Sequence, residues 1–285
     1  MATYIVYRNM EVINCNLSSS YLTADLSQNA YIGFAHNLAR YLDKKLPEPD
    51  ELSGEDRAIK LGSEKVFSII KQLEFYQGNA SLAGHLNENN HKALNIPMNP
   101  PEIKGSLQHT IVISLDIAEP DEISLIDYIR KFVLFNRFAG GDIQVMADDN
   151  IKVYQNDKDL QEALKTEKGW LVQDATDELV EEAKNSNYSK AFNNFLATFV
   201  ELDENGKKQY KRRKGWYFAS LSGYQLLENP RKRIGVRVDD CPHAFAEPII
   251  GLHELVYYRQ QDFNELFWQA KMLDNSYLVK QVGQF

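Results

Sequence analysis

The chain has 285 residues, 44% hydrophobic and 25% charged, a globular composition long enough to bury a substantial core as one large domain or two smaller ones. A net charge of −8 argues against a surface that is basic all over, and no apolar run approaches the roughly 20 residues of a membrane span. Cys15 and Cys241 form no Cys-x-x-Cys pair and no disulfide framework, and the N-terminus has no basic region followed by an apolar core. The expectation is a cytoplasmic protein with reduced thiols, no structural zinc and no membrane partner.

Thr3–Val12, rich in Tyr, Ile and Val, reads as an opening strand, and Asn14–Ser27 as a polar turn. A helix is expected from Gln28 or Asn29 to Leu42, with Ile32, Ala35, Leu38, Ala39 and Leu42 at helical spacing; His36 on it reads as a packed or surface histidine. Pro47–Gly54 is a loop and Glu64–Tyr76 a strand-like segment. Gly78–Pro101 is a long irregular connection whose His85 and His91 lack a third clustered metal ligand. Gln108–Ile117 is apolar enough for a central strand. Pro120-Asp121 then opens an apolar helix in which Leu125, Ile126, Ile129, Phe132, Val133 and Phe135 predict a broad buried face. That helix is expected to end at Gly140-Gly141, placing Arg137 in its last turn, with a strand following over Ile143–Met146. Strand–helix–strand thus occurs twice, the β-α-β-β-α-β order of a ferredoxin-like or RNA-recognition-motif-like antiparallel sheet.

An acidic, mainly helical region follows, at Asp157–Leu164, Asp174–Lys184 and Ser189–Phe199, with a short strand at Trp170–Val172. Gly215–Leu221 is a second clear strand. Ile249–Leu252, a helix through Asp262–Leu273 and a tail at Tyr277–Phe285 complete the chain. The expected organisation is a single α+β subunit: a ferredoxin-like core over about 1–150, a helical acidic insertion over about 151–206, and a basic strand region with C-terminal helices over about 207–285.

The charge is unevenly placed. Lys207–Arg237 holds ten basic residues against the single acid Glu228, a local charge of +9, so the remainder carries −17. One polyanion-facing surface on an anionic body would look like this, and so would a hairpin tip that is merely solvated. Tyr210, Trp216, Tyr217 and Tyr224 interleave with the basic stretch, and Gly215, Gly223 and Gly235 punctuate it, as single-stranded RNA contacts require. Gly140-Gly141 likewise permits a close backbone approach. No Walker loop, Gly-x-Gly-x-x-Gly, Gly-x-Ser-x-Gly or His-Glu-x-x-His occurs, so neither a catalytic residue nor a cofactor is expected.

Four stretches resemble one family. Ala30–Leu38 (Ala-Tyr-Ile-Gly-Phe-Ala-His-Asn-Leu) is similar to its aromatic-x-Gly-Phe-x-His-x-Leu helix, and Arg137–Ile143 matches Arg-x-Ala-Gly-Gly-x-Ile. Gly169–Val172 opens an acidic helix, and Pro242–Glu254 is similar to Pro-x-x-Phe-x-Glu-x-x-x-Gly-Leu-x-Glu. In order and spacing the chain resembles the second Csy subunit, the Cas-five type, of type I-F CRISPR surveillance complexes. The resemblance implies a repeat-associated (RAMP) core without nuclease activity. Such a subunit grips the 5′ handle of the guide crRNA, pairs with the large subunit and abuts the first backbone subunit; target double-stranded DNA is read by guide pairing. The family's Pro-Ser segment before the first helix reads Leu26-Ser27-Gln28-Asn29 here.

The RNA-contact candidates are therefore Arg137, Gly140 and Gly141, then Lys211, Arg212, Arg213 and Lys214, then Arg231, Lys232, Arg233 and Arg237, with Ser27 and Gln28 from the altered segment. Two alternatives stand beside this reading. A metal-independent endoribonuclease processing repeat RNA would need His243 or His253 as general base. A protein–protein scaffold would turn the basic stretch toward an acidic partner.

Overall fold

The computed structural model describes residues 2–20, 23–24, 27–46, 58–76, 103–117, 122–184, 190, 200–202, 204, 208–210, 216–235, 242–258 and 263–284. In chain order the elements are β1 (Ala2–Asn16), β2 (Ser18–Ser20), β3 (Thr23–Ala24), α1 (Gln28–Asp43), β4 (Lys65–Phe75), β5 (Lys104–Asp116) and α2 (Glu122–Phe135). There follow β6 (Arg137–Phe138), β7 (Gly141–Ile143), β8 (Ile151–Tyr154), α3 (Asp157–Leu164), β9 (Trp170–Asp174) and α4 (Thr176–Lys184). The last are β10 (Val200–Leu202), β11 (Lys208–Tyr210), β12 (Trp216–Leu226), β13 (Ala246–Tyr257), β14 (Trp268–Leu273) and β15 (Ser276–Gln281). The molecule is α+β, built on one large antiparallel sheet with few helices.

β1 sits between β5 on one side and, on the other, β7 at Val12–Ile13 and β8 at Tyr4–Tyr7; β5 in turn pairs with β4. Every one of these pairings is antiparallel. The alternation of side chains explains why β1 and β5 read as unbroken apolar runs, because each faces a core on both sides. Ile5, Tyr7, Ile111 and Ile113 point toward α1 and α2, whose Tyr31, Ala35, Leu38, Leu125, Ile129 and Phe132 complete the larger core. Tyr4, Val6 and Val112 point the other way, with Phe67 and Ile69 of β4. There Leu160 and Leu164 of α3 and the 3-10 turn Phe263–Leu266 cover them.

Local sequence starts α1 and α3. Ser27 caps α1, its hydroxyl accepting from the Asn29 amide at 3.2 Å, and Asn156 caps α3 by accepting from Asp159 at 2.9 Å. Asp157 and Asp159 in the first turn of α3 suit its positive end.

Beyond β4 the sheet curls. The outer edge of β4 is shared, Lys65 and Val66 pairing with β14 and Ile70 with β9. Because β14 pairs β15, β15 pairs β12, β12 pairs β13 and β13 pairs β9, these six strands close on one another in a ring. The Trp268 indole N–H donates to the Val172 carbonyl at 3.1 Å inside this ring.

Three expectations change. The C-terminal helix through Asp262–Leu273 is a 3-10 turn followed by β14, joined to β15 by the two-residue turn Asp274-Asn275. Phe263, Leu266 and Phe267 have helical spacing, yet they fill the far face of the sheet as a single turn; Asp274, at φ +48°, supplies the hairpin signal. The acidic region is woven into the sheet: β8 and β9 are strands of it and α3 is a cover for it. The fourth strand of the first sheet is shared between β7 and β8, reaching past Ile143–Met146 to Tyr154. The expected helix at Ser189–Phe199 lies, save Lys190, outside the described residues.

Burial pushes the pKa of His109 down to about 3; that of His253, lowered by burial and partly restored by the Asp174 charge, falls to about 4, against 6.5 for the free group. Below pH 6.5 the unfolded chain therefore takes up protons that the folded chain refuses. Stability is complete above pH 6.5 and declines as pH falls toward 4. Between pH 7 and 5 the expected loss is about 2 kcal/mol per histidine, read from urea midpoints; His109→Gln should make the decline shallower.

Candidate nucleic-acid interface

The Gly-Gly corner is a hairpin turn. α2 ends at Phe135, five residues before Gly140, and Arg137 and Phe138 pair as β6 with Asp142 and Gly141 of β7. The expected helix end at Gly140-Gly141 is thus displaced by a tight turn in which Ala139 and Gly140 both take positive φ, +47° and +76°. Two such residues in succession suit the right-handed twist of a two-residue hairpin. The two glycines serve different ends. A Cβ on Gly141 would lie 2.6 Å from the Cys15 nitrogen and the Ile13 carbonyl, so the close backbone approach foreseen at this position is made by β1 of the same chain. A Cβ on Gly140 would meet nothing within 4 Å. Only Gly140 leaves room for a ligand.

Arg137 is exposed, and its Nε lies 3.1 Å from the Asp142 carboxylate across the hairpin. Phe135 is 85% exposed, not part of the buried face. The buried stripe of α2 runs through Leu125, Ile129, Phe132 and Val133. At 3.6 residues per turn Phe135 falls about 100° away from its centre, a signal the spacing already held. Farther along α2 and β8, Arg130 lies 3.6 Å from Asp148 and Lys152 3.8 Å from Asp149. The corner combines an open glycine, an arginine paired with Asp142 and an exposed aromatic ring.

Ser27 and Gln28 are buried. Besides capping α1, the Ser27 hydroxyl donates to the Leu221 carbonyl at 3.0 Å, and the Asn29 amide group donates to the same oxygen at 2.8 Å. This segment fixes α1 to β12. Lys211–Lys214 and Arg237 lie outside the described residues, the former in the interval between β11 and β12. Tyr217 is half-buried, its hydroxyl donating to Glu178 at 3.3 Å, while Tyr224 is exposed on β12.

Arg231, Lys232 and Arg233 stand in the connection after β12. Glu228 engages Arg231 at 3.3 Å and also Arg233, and the Arg233 guanidinium lies 4.5 Å over the Phe245 ring. The Phe245 amide foremost, with Arg233 and Arg231, holds the Glu228 carboxyl below its usual range. In the order of the sheet, β13, β9, β4, β5 and β1 stand between β12 and β7, so these cations and the corner do not share neighbouring strands.

The motif residues divide between core and surface. Tyr31, Phe34 and Leu38 are core; Gly33 and His36 face a cavity of about 360 Å³ with Glu64, Met272 and Tyr277, where His36 Nδ1 lies 3.0 Å from the Glu64 carboxylate. His253 is wholly buried, Nε2 lying 3.0 Å from the Ser222 hydroxyl and its ring against Trp268. His243 exchanges both backbone hydrogen bonds with Arg231, at 2.8 and 2.9 Å. Among the described residues no group of three His, Cys, Asp or Glu side chains could hold a metal ion, and no helix is long and apolar enough to cross a membrane.

A family model described as CRISPR-associated protein (Cas_Csy2) matches residues 5–279. The chain belongs to this CRISPR-associated family. Its membership makes it a component of a Csy complex, with other Csy subunits as its partners. A comparison with curated proteins finds no match. Within the Csy family setting, the resemblance carried by the Gly-Gly corner and the Pro242–Glu254 stretch is that of the second Csy subunit of a type I-F system.

The two glycines should separate on substitution. Gly141→Ala forces the β1 backbone apart and should cost about 3 kcal/mol or more, whereas Gly140→Ala carries only the left-handed penalty of about 1 kcal/mol. Ser27→Ala should cost about 1–2 kcal/mol through the lost cap and the lost Ser27–Leu221 hydrogen bond, the Leu221 carbonyl keeping the Asn29 amide as its donor. Urea unfolding of the three variants checks the order.

Proposed function

We propose that this protein is a non-catalytic subunit of a type I-F CRISPR RNA-guided surveillance complex. It holds the 5′ handle of the guide crRNA and joins the large subunit to the backbone, in the cytoplasm, as part of antiviral defence. The observation that carries this reading is the run of four family motifs, in order, in a chain whose family match extends over residues 5–279.

The strand order supports a RAMP-type core. In β1-α1-β4-β5-α2-β7/β8 the strands lie in the order β7/β8–β1–β5–β4, all antiparallel, as a ferredoxin-like unit requires. An RNA-recognition-motif sheet offers an open face for bases. Here α3 and the Phe263–Leu266 turn cover that face, so in this reading the guide is held at the rim of the sheet. Arg137 and Gly140, with Phe135 beside them as a stacking face, form the first contact, and Lys211–Lys214 and Arg237 supply the phosphate charge.

A non-catalytic role is favoured by the place of His253. A general base must reach the RNA 2′-hydroxyl, and His253 is enclosed between Ser222 and Trp268. His243 is the remaining histidine for an endoribonuclease reading. Incubating the purified protein, free of companion subunits, with repeat RNA should leave the RNA intact.

Guide RNA carrying its handle should bind the subunit, alone or with its partners, far more tightly than the same RNA without it. Affinity should fall steeply with salt, and replacing Lys211, Arg212, Arg213 and Lys214 by Ala should reduce the slope of log K against log salt by up to about four. Filter binding at several salt concentrations reads both; equal affinity for handle-less RNA removes the proposal.

A further inference from the structure

β15 accompanies β12 only over Gly223–Gln225, and beyond it the β12–β13 ribbon projects with Leu226 opposite Ala246 and the Leu227 amide donating to the Phe245 carbonyl at 2.9 Å. The tip is braced from within. Glu228 accepts from the Phe245 amide at 2.9 Å while holding Arg231 and Arg233, and Arg231 and His243 exchange their backbone hydrogen bonds. On this frame Ile234 is fully exposed, and Leu227 and Phe245 are about two-thirds exposed, at 60% and 65%. Aliphatic side chains this exposed on a braced loop mark a surface that meets something.

The chemistry of the tip selects the kind of partner. Arg231 and Arg233 are both engaged by Glu228, which leaves Lys232 as the uncommitted cation among the described residues of the loop. The Phe245 ring already carries the Arg233 guanidinium on one face, so it is a poor platform for a base. Ile234 and Leu227 have no π-face to stack and gain little against a phosphate backbone. An apolar hollow gains from covering them, and residual positive charge around them matches carboxylates at its rim.

We propose that the β12–β13 tip is a protein-docking knob, with Ile234 and Leu227 entering an apolar hollow, rimmed by Asp and Glu, on another subunit of the same Csy complex. The knob rests on no step of the guide-RNA reading, although Arg237, given to the phosphates there, follows Ile234 by three residues, and it moves Arg231 and Arg233 from RNA contact to bracing of the tip.

The test uses the chain coexpressed with its companion Csy subunits and guide RNA, carrying Ile234→Asp, Leu227→Asp or Lys232→Glu. Each companion's affinity for the purified chain and the guide RNA retained per chain are both measured. Ile234→Asp and Leu227→Asp should each weaken one companion at least tenfold, and Lys232→Glu should slow its association most at low salt. Melting temperature and guide RNA per chain should hold at the wild-type value, since Ile234 touches no core. Affinity for every companion within twofold of wild type overturns the knob. So does loss of guide RNA with companions retained, which makes the tip an RNA contact, or loss of self-association in sedimentation, which makes it a contact between copies of this chain. Failure of the guide-RNA reading alone would appear as handle-independent binding while Ile234→Asp still released its companion.

Discussion

The organisation of the molecule rests on β1, β5 and β4 being buried on both faces. Successive side chains of a strand point to opposite sides, so an apolar run such as Thr110–Leu115 demands two covers. α1 and α2 provide one, and α3 with the Phe263–Leu266 turn provides the other. Among the described residues, the Arg137–Ile143 hairpin beside β1 and the far end of β12–β13 lie at the rim of this covered sheet. The same constraint explains why a region rich in acid is a necessary part of the fold. Its Leu160 and Leu164 cover the sheet, while its charges remain in water.

The ring of six strands around Trp268 and His253 ties the C-terminal third of the chain to the first sheet through the divided edge of β4. Ser27 performs a similar service from the other side, bonding α1 to Leu221 of β12. A motif stretch such as Pro242–Glu254 consequently mixes roles. Its early residues frame an exposed tip, and its later ones, His253 above all, lie in the core. Reading the whole stretch as a functional surface would misplace half of it.

Much was legible in the chain itself. α1 and α3 follow from their spacing and caps, and β5 from its apolar run. The β-α-β-β-α-β order is visible because periods of 3.6 and 2 alternate in long, strongly patterned segments. The family is legible too, since its motifs depend on residue type at fixed spacing. The segment Trp268–Leu273 was misleading because short apolar runs fit either period, and only its partners β15 and β4 decide that it is a strand.

Net charge, its concentration between Lys207 and Arg237, and the family motifs were settled by the sequence, because they are sums and spacings that need no coordinates. Which glycine is open, that Ser27 and His253 are enclosed, and that Glu228 holds two of the cations were decided by tertiary structure alone. The reason is physical. Exposure and charge pairing depend on which strands arrive beside a residue, and β1 crossing Gly141, or Phe245 meeting Glu228, is set by the pairing of strands.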